Sequence, residues 1–314
     1  MTRSIAARLR DLLPYLGLLA VVVFFSATSD YFLSVANFQR LATDSATLLL
    51  VAFGMTLLIL VGEIDLSVGA VVSLLSVVMA QIMAAGYPWP VSVTAGLGLA
   101  TLIGAANGVL TVFGRIPSFI VTLGMLSVAT GFAFILTGSI SVAIMDVTFL
   151  DLFYSVRVLW IPVPLVLVAV GFAAVWILMN RTVAGRFLFA IGANLEAARL
   201  SGVPVQRLKV TAFVIMGVLV GVAAVLSAAR LGSGAPDARP ILTLDAIAAV
   251  IIGGASLYGG WASVTRTLVG ALLIAVLNNG LVLLNIPTDA QYIVKGVIIL
   301  IAVVLDRLAQ GARA

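Results

Sequence analysis

Apolar segments of about 20 residues recur along the whole chain, and they limit its possible folds more than any other feature. One of them is LLLVAFGMTLLILVG, residues 48–62. In the hydrocarbon core of a bilayer, backbone groups must be hydrogen-bonded within the protein, so only helices and closed barrels span it. Barrel strands alternate polar and apolar side chains, and these segments do not. The sequence therefore predicts an all-α polytopic membrane protein.

Hydropathy predicts about ten transmembrane helices. Their approximate ranges are 12–29, 41–62, 66–85, 89–113, 117–137, 158–179, 210–230, 244–258, 267–286 and 291–306. The first segment follows basic residues, as in a signal peptide, but no convincing small-residue cleavage site comes after it, so we interpret it as a retained span. Glycine and proline near the third, fifth and eighth spans predict broken or re-entrant helices. We expect residues 1–314 to form a single transmembrane domain.

The basic residues favour one orientation of these ten spans. With the N-terminus in the cytoplasm, twelve of the 17 Lys and Arg residues fall on the cytoplasmic side and five on the other. Cytoplasmic loops of membrane proteins carry such an excess. The distribution predicts that both termini are cytoplasmic. It also accounts for the net charge of +5 without nucleic-acid binding.

Composition excludes several kinds of chemistry. The chain has no cysteine and no histidine, which removes disulfides, thiol chemistry and the commonest metal ligands. It has no GxxxxGK[ST] motif, so it does not bind ATP through a P-loop. No nucleophile and base are paired in the sequence, and without histidine an ordinary hydrolytic triad is unavailable. We therefore expect a protein that is not an enzyme and that holds no cofactor of its own.

A faint internal repeat links the two halves of the chain. Asn107-Gly108 precedes an Ile-Pro pair at 116–117, and Asn279-Gly280 precedes another at 286–287. In the predicted topology the two Asn-Gly pairs lie on spans that run in opposite directions. This pattern is typical of an inverted repeat, here of five helices each.

The most basic segment between predicted spans is 180–209, with five basic residues and one acidic residue. Asn194 is suited to cap a short helix, and Glu196 would then lie in its first turn, where the helix dipole favours an acid. Gly202 suits the position after the helix end, and Pro204 prevents its continuation. A helix of about two turns is unstable alone, so it packs either on its own bundle or on a cytoplasmic partner. The residues alone do not decide between these alternatives.

Three other segments place polar groups in apolar surroundings. In GEIDLSVGAVVSL (62–74), Glu63 and Asp65 either cap and border the following helix or mark a functional site. In RIPSFIVTLGMLSVATG (115–131), Ser118 and Thr122 either bond neighbouring helices or line a polar path. Asn278 and Asn279 lie deep in the ninth span, where they either form interhelical hydrogen bonds or line a cavity. The candidate pathway or gating residues are Glu63, Asp65, Asn107, Ser118, Thr122, Asn278 and Asn279.

Four segments in this order resemble the inner-membrane permease subunit of bacterial ABC importers of the ribose, xylose and galactose type. They are GEIDLSVGAVVSL, RIPSFIVTLGML, GANLEAARLSGVPVQRLKV and AAVIIGGASLYGG. The resemblance covers roughly residues 12–306. One departure is Glu63 after Gly62, where many members of the family have two glycines.

The resemblance implies a function and a set of partners. Two permease subunits, identical or similar, form a pathway in the lipid bilayer of the inner membrane. Two cytoplasmic ATPase subunits bind ATP and Mg²⁺, and a periplasmic binding protein delivers the sugar. It implies that segment 180–209 is a cytoplasmic coupling loop whose short helix docks on the ATPase. The coupling residues that it implies are Gly192, Asn194, Glu196, Ala197, Ala198, Ser201 and Gly202.

Two alternatives stay open at this point. The chain could belong to an ABC importer of another small polar solute, such as a sugar-derived signal, a polyol, a nucleoside or a branched-chain amino acid. It could also be a secondary transporter coupled to an ion gradient, which usually needs a carboxylate or an ion site near the middle of the membrane. Most carboxylates in this sequence lie near predicted span ends, which disfavours the second alternative.

Overall fold

The chain folds into a bundle of helices of unequal length. A computed structural model describes residues 5–158, 160–238 and 241–297, with side-chain packing from residue 12 onward. Its helices are α1 (Ile5–Thr28), α2 (Val35–Leu60), α3 (Val68–Ala84), α4 (Trp89–Val112), α5 (Ser118–Thr137), α6 (Val147–Leu150), α7 (Val163–Arg181), α8 (Val183–Ala193), α9 (Leu195–Leu200), α10 (Val205–Leu231), α11 (Leu242–Ile252) and α12 (Val264–Leu283). Residues 288–297 are also helical and are called α13.

The prediction of a mostly helical membrane protein is confirmed. Within the described part of the chain, α2, α4, α5, α7, α10 and α12 are long and apolar enough to cross a membrane. The first, third and eighth predicted spans correspond to shorter apolar helices. The tenth predicted span begins within α13, and its remainder lies outside the described residues. The structure thus supports six spans directly by helix length.

The third, fifth and eighth spans were predicted to be broken, and the helix of the eighth span is the shortest of the three. Helix α11 has 11 residues, which makes it about 16 Å long, roughly half the thickness of the hydrocarbon core. Helix α3 has 17 residues. The prediction was wrong for the fifth span, because α5 is one continuous helix that starts directly after Pro117. Its internal glycines meet no neighbouring atoms within 4 Å and do not interrupt it.

Small strands and a π-helical turn were not predicted from hydropathy. Strand β1 (Val142–Ala143) pairs antiparallel with β4 (Ser233–Gly234), and β2 (Arg157–Val158) pairs with β3 (Ile161–Pro162). A π-helix, Asp151–Ser155, follows α6 directly. These elements lie in the connections between the long helices and do not interrupt the helical bundle.

The centre of the bundle is formed by α2 and α10, whose residues are mostly buried. Helix α10 packs closely on α4 because both present glycine at the contact. A Cβ atom on Gly104 would lie 2.5 Å from the Phe213 carbonyl oxygen and 3.0 Å from Gly217 Cα. Small residues at this spacing let transmembrane helices approach closely. By contrast, α4, α5 and α7 expose large apolar side chains, as expected for surfaces that face lipid or another membrane subunit.

The two ends of the bundle differ in charge and in their contacts. The end we call the basic end holds the loops 61–67, 113–117, 194–204 and 253–263, with α8 and α9. Its loops are tied together by a hydrogen bond from the Gly260 N–H to the Leu60 carbonyl oxygen, 3.0 Å. The opposite end holds the strand pair β1–β4 and the N-terminal half of α2.

Candidate functional site

The loop before α3 carries a buried polar cluster. The Asp65 carboxylate accepts hydrogen bonds from the Ser67 backbone N–H at 2.8 Å and from its hydroxyl at 2.6 Å. The Asn107 side chain, fully buried on α4, donates to Asp65 Oδ2 and to Ser67 Oγ, both at 3.2 Å. The candidate residues Asp65 and Asn107 are therefore brought together, 42 positions apart in sequence.

Helix capping at this loop differs from the simple sequence interpretation. Ser67 occupies the N-cap position of α3, but its side chain makes no capping hydrogen bond because the hydroxyl donates to Asp65 instead. Asp65 lies in the loop, outside both α2 and α3. Burial raises the pKa of its carboxyl, and the hydrogen bonds from Ser67 and Asn107 oppose that rise. The loop is thus held by a side-chain network rather than by a cap.

Glu63 joins the same loop to the start of α10. Its carboxylate forms an ion pair with the Lys209 ammonium, and the two side chains are only 12% and 14% exposed. Removing one partner of a largely buried ion pair lowers the stability of the fold, because the other charge is left unpaired in a region of low dielectric. Glu63 therefore connects the GEID segment to the basic segment 180–209 across 146 positions of sequence.

Ser118 and Thr122 also contact this region, as local hydrogen-bonding residues. The Ser118 hydroxyl accepts from the Ile64 backbone N–H at 3.2 Å. The Thr122 hydroxyl donates to the Ser118 carbonyl oxygen at 2.8 Å and is fully buried. Ser118 thus ties α5 to the loop 61–67, whereas the Thr122 bond stays within α5.

Segment 180–209 is almost entirely helical, whereas the sequence predicted a loop with one short helix. Helix α7 extends to Arg181, α8 follows one residue later, and α10 begins at Val205. Thr182 starts α8 with its hydroxyl accepting from the Gly185 N–H at 3.0 Å. A helix of 11 residues was missed because its apolar residues blend into the preceding span.

Gly192, near the end of α8, is packed against two other segments of the basic end. A Cβ atom there would lie far inside van der Waals contact of both the Leu60 carbonyl oxygen and the Gly260 backbone nitrogen. These are the two atoms joined by the hydrogen bond between α2 and the glycine-rich loop. Only glycine fits at this position. Two of the four sequence motifs therefore meet in a single backbone contact, at the end of α2 and two residues before the GEID motif.

The short helix α9 has the ends that the sequence predicted. Asn194 Oδ1 accepts from the Ala197 N–H at 2.9 Å, as an N-cap does. Glu196 lies in the first turn, and Gly202 has a φ of +77° just beyond the end. Ser201 occupies the C-cap position.

Exposure divides the seven coupling candidates into two groups. Ala198 is 4% exposed and packs against the bundle, and Gly192 makes the backbone contact described above. The other five are exposed: Asn194, Glu196, Ala197, Ser201 and Gly202. Leu200 is also exposed, at 83%, although it is a large apolar side chain. Helix α9 thus presents an outer face at the basic end that no other described segment covers.

Asn278 and Asn279 lie at the opposite end, away from the other candidates. The Asn279 and Asn37 side chains exchange two hydrogen bonds, at 2.8 and 3.0 Å. Asn278 donates to Asp245 Oδ2 at 3.3 Å. Asp245 lies within the first turn of α11, after Ile241 at the N-cap. Both amides therefore have partners on other helices.

These two amides line a cavity of about 440 Å³ among α2, α10, α11, α12 and α13. Two ion pairs also line it, Asp44 with Arg230 at 2.6 Å and Asp245 with Lys295 at 3.4 Å. The sequence alone does not join Asp44 and Lys295 to their partners. Charged residues near span ends were the available signal, but their pairing depends on tertiary structure.

Comparison with known proteins identifies the family of this chain. Residues 37–303 match the family model described as the branched-chain amino acid transport system permease component. The chain is 38% identical to the ribose import permease protein of Bacillus subtilis, over 94% of this chain and 92% of that protein. It is 37% identical to the ribose import permease protein of Escherichia coli K12, over 94% and 93%.

A xylose transport system permease protein of Escherichia coli K12 is 35% identical over 92% of this chain and 90% of its own length. No solved structure matches significantly. The match to the family model spans most of the chain. The four sequence motifs resembled the same ribose and xylose permeases. The chain therefore belongs to this family of transport-system permease components.

Proposed function

We propose that this chain is the membrane-spanning permease subunit of an ATP-driven importer that translocates a monosaccharide delivered by a periplasmic binding protein. The observation that carries the proposal is the backbone contact of Gly192 with Leu60 and Gly260. It connects α8, which leads into the exposed helix α9, to the end of α2 and to the loop before α12. A force applied to α9 from outside the chain would pass through α8 to both segments. The similarity to ribose and xylose permeases supports the choice of cargo.

The proposed mechanism is alternating access driven by a separate subunit. Two ATPase subunits bind ATP and Mg²⁺ and close as a dimer against the exposed face of α9. The five exposed coupling residues form the docking surface, and Ala198 and Gly192 hold α8 and α9 on the bundle. Closure moves the loop 61–67, whose Glu63 is tied to Lys209 and whose Asp65 is tied to Asn107. The pathway, completed by a second permease subunit, then changes the side to which it opens.

The proposed orientation places the basic end and both termini in the cytoplasm of the cell, with the whole chain as one domain in the inner membrane. Ten spans arranged as an inverted repeat belong to the same proposal. Two similar pairs support the repeat, Asp65 with Asn107 and Asp245 with Asn278. In each pair the carboxylate lies at the start of a short helix and the amide on the next one. The Thr243 hydroxyl of α11 accepts from a backbone N–H in the first turn of α3, so the two short helices start side by side.

Uptake measurements distinguish an ATP-driven importer from an ion-coupled transporter. The ion-coupled alternative would rely on Asp65, which is buried among neutral partners. The full complex in proteoliposomes should accumulate labelled D-ribose or D-xylose when ATP and a loaded binding protein are supplied. An ionophore should leave that uptake unchanged. Uptake that an ionophore abolishes while ATP is present would refute the ATP-driven mechanism.

The description of the matching family favours one alternative cargo, a branched-chain amino acid. The same proteoliposomes test it with labelled L-leucine and the corresponding binding protein. We expect no uptake of L-leucine above the level without ATP. ATP-driven uptake of L-leucine without uptake of either sugar would replace the proposed cargo and keep the transport mechanism.

The docking role of α9 is tested by reversing the charge of Glu196. Its side chain is 71% exposed and forms only a loose pair with Arg199, at 3.8 Å, so the fold loses little from the change. Glu196→Arg should abolish uptake while leaving membrane insertion intact. Asp30→Arg makes the same charge change on an exposed residue at the opposite end and should keep uptake. Normal uptake by a well-expressed Glu196→Arg variant would remove the docking role.

A further inference from the structure

The 440 Å³ cavity at the opposite end has the size of a small-molecule binding site. It lies within one permease chain, between the N-terminal half of α2, the end of α10, the start of α11, the C-terminal half of α12 and α13. Binding sites for solutes of this kind are about 300–1,000 Å³ in volume. The cavity is therefore large enough for a monosaccharide and a few water molecules.

The cavity reaches far into the membrane because α11 is short. The C-terminal end of α11 lies at the basic end, where Gly253 packs on the backbone of Arg266 and Thr267 at the start of α12. A helix of 11 residues rises about 16 Å from there. In the proposed orientation its first turn, which carries Asp245, would thus lie near the middle of the bilayer rather than at its surface. Discontinuous helices that end at this depth commonly form the solute sites of transporters.

The polar groups around the cavity are largely fixed by one another. Asn37 and Asn279 hold each other through their two hydrogen bonds. Asn278 donates to Asp245, but its own Oδ1 is buried and has no hydrogen-bond partner among the described residues. An unsatisfied buried acceptor costs free energy unless a ligand or water donates to it. Asn278 is therefore the lining residue best placed to accept a hydrogen bond from a solute hydroxyl.

The charges favour a neutral solute. The carboxylates of Asp44 and Asp245 are each paired with a cation, Arg230 and Lys295. Arg40 also lines the cavity but is exposed at its mouth, where solvent screens its charge. A strongly anionic solute would face two carboxylates, and a strongly cationic one would face the paired cations.

The rest of the lining suits the carbon face of a sugar ring. The apolar lining residues are Leu41, Leu48, Ile241, Leu242, Ala275, Val282 and Leu283. Such a surface, with a few amides and balanced charges, matches a molecule that carries hydroxyl groups on an apolar ring. We propose that this cavity is a binding site for a neutral monosaccharide within the permease chain, with Asn278 as a hydrogen-bonding contact. This inference rests on the proposed function and adds a site to it.

The absence of native cysteine makes a thiol-protection experiment clean. Ser45 lines the cavity and is 5% exposed, and its replacement by cysteine changes one atom. Ser45→Cys is prepared in the full chain, co-expressed with its ATPase and reconstituted in lipid. The rate of labelling by a small thiol reagent is measured with D-ribose, D-xylose or L-leucine at up to about 100 mM, which covers weak binding. A polyethylene glycol too large for the cavity controls for osmotic effects.

We expect one of the two sugars to slow labelling at Ser45→Cys and L-leucine to have no effect. Ser233→Cys, at the same end but outside the cavity lining, should react at the same rate with and without sugar. Adding Asn278→Leu to Ser45→Cys should raise the half-protecting sugar concentration about 2- to 10-fold, as expected for the loss of one hydrogen bond. Asn180→Leu, an exposed amide at the basic end, is the matched control and should leave that concentration unchanged.

The outcomes separate this inference from the proposed function. If the complex takes up D-ribose or D-xylose with ATP but neither sugar protects Ser45→Cys, the cavity is not a sugar site and the importer proposal stands. If a sugar protects but no ATP-driven uptake occurs, the site stands and the importer proposal falls. Equal protection by L-leucine overturns the choice of a neutral sugar. Protection that Asn278→Leu leaves unchanged removes Asn278 from the site.

Discussion

Gly192 provides the sharpest test of how the basic end is held together. The Gly192→Ala substitution adds one methyl group between the Leu60 carbonyl oxygen and the Gly260 backbone nitrogen. These two atoms are joined by a 3.0 Å hydrogen bond, so both must move to accommodate the methyl group. No flexible side-chain end is available to give way at either contact. We therefore expect α8 to separate from the glycine-rich loop.

The size of the effect follows from the contacts that are lost. Overpacking costs about 1–3 kcal/mol, and the broken hydrogen bond adds about 0.5–1.5 kcal/mol. Because Gly192 lies in α8, the higher helix propensity of alanine offsets up to about 1 kcal/mol. The net loss of local stability is about 0.5–4.5 kcal/mol. This corresponds to an increase of about 2- to 2,000-fold in the population of the opened contact.

Hydrogen exchange of the purified chain in detergent measures this opening directly. The peptide that contains Gly260 should exchange about 2- to 2,000-fold faster in Gly192→Ala than in the wild type, because local opening limits exchange of a bonded amide. Gly98→Ala is the matched control, since no atom lies within 4 Å of its added methyl group. It should keep the wild-type exchange of that peptide.

An unchanged exchange rate at residue 260 in Gly192→Ala would refute the reasoning. It would mean that the backbone contact is looser than the structure indicates. Segment α8–α9 would then lack a rigid connection to the loops that it is proposed to move.

Three further substitutions test other contacts of the bundle. Glu63→Gln leaves the Lys209 charge unpaired and should lower stability in detergent by about 3 kcal/mol. Adding Lys209→Met should restore part of that loss. Additive losses in the heat-denaturation midpoints of the two variants would argue against the ion pair. Asn37→Leu should cost about 1–2 kcal/mol by removing both bonds to Asn279, and an SDS unfolding titration that matches wild type would contradict this. Gly104→Ala should cost about 1–3 kcal/mol in the same titration by separating α4 from α10, and no loss would show that these helices are not in close contact.

The features that sequence predicted correctly are local ones. Asn194, Glu196 and Gly202 fix the ends of α9 through groups within a few residues of one another, so their pattern alone indicates the helix. The apolar segments likewise predict most long helices, since length and hydropathy suffice in a membrane. The extra helix α8 was missed because its residues are as apolar as a span but lie beyond the end of one.

The candidate site was predicted less completely because its contacts join distant residues. Sequence indicated Asp65 and Asn107 separately, but their hydrogen bond depends on how α4 packs beside the loop 61–67. It indicated Gly192 only through a family resemblance, whereas its physical role comes from Leu60 and Gly260. Sequence offered a cavity at Asn278 and Asn279 only as one of two alternatives, and it did not indicate the other lining residues, because the cavity is assembled from five helices.

We propose that α9 couples this permease to an ATPase, and ATP hydrolysis by the complete complex measures this coupling. The complete complex is reconstituted in lipid with a candidate partner ATPase, and hydrolysis is measured with and without a sugar-loaded binding protein. The account predicts stimulation in the wild type and none in Glu196→Arg, at equal amounts of permease in the membrane. Equal stimulation of both proteins would contradict coupling through α9. Failure to form a complex with any plausible ATPase would contradict the importer itself.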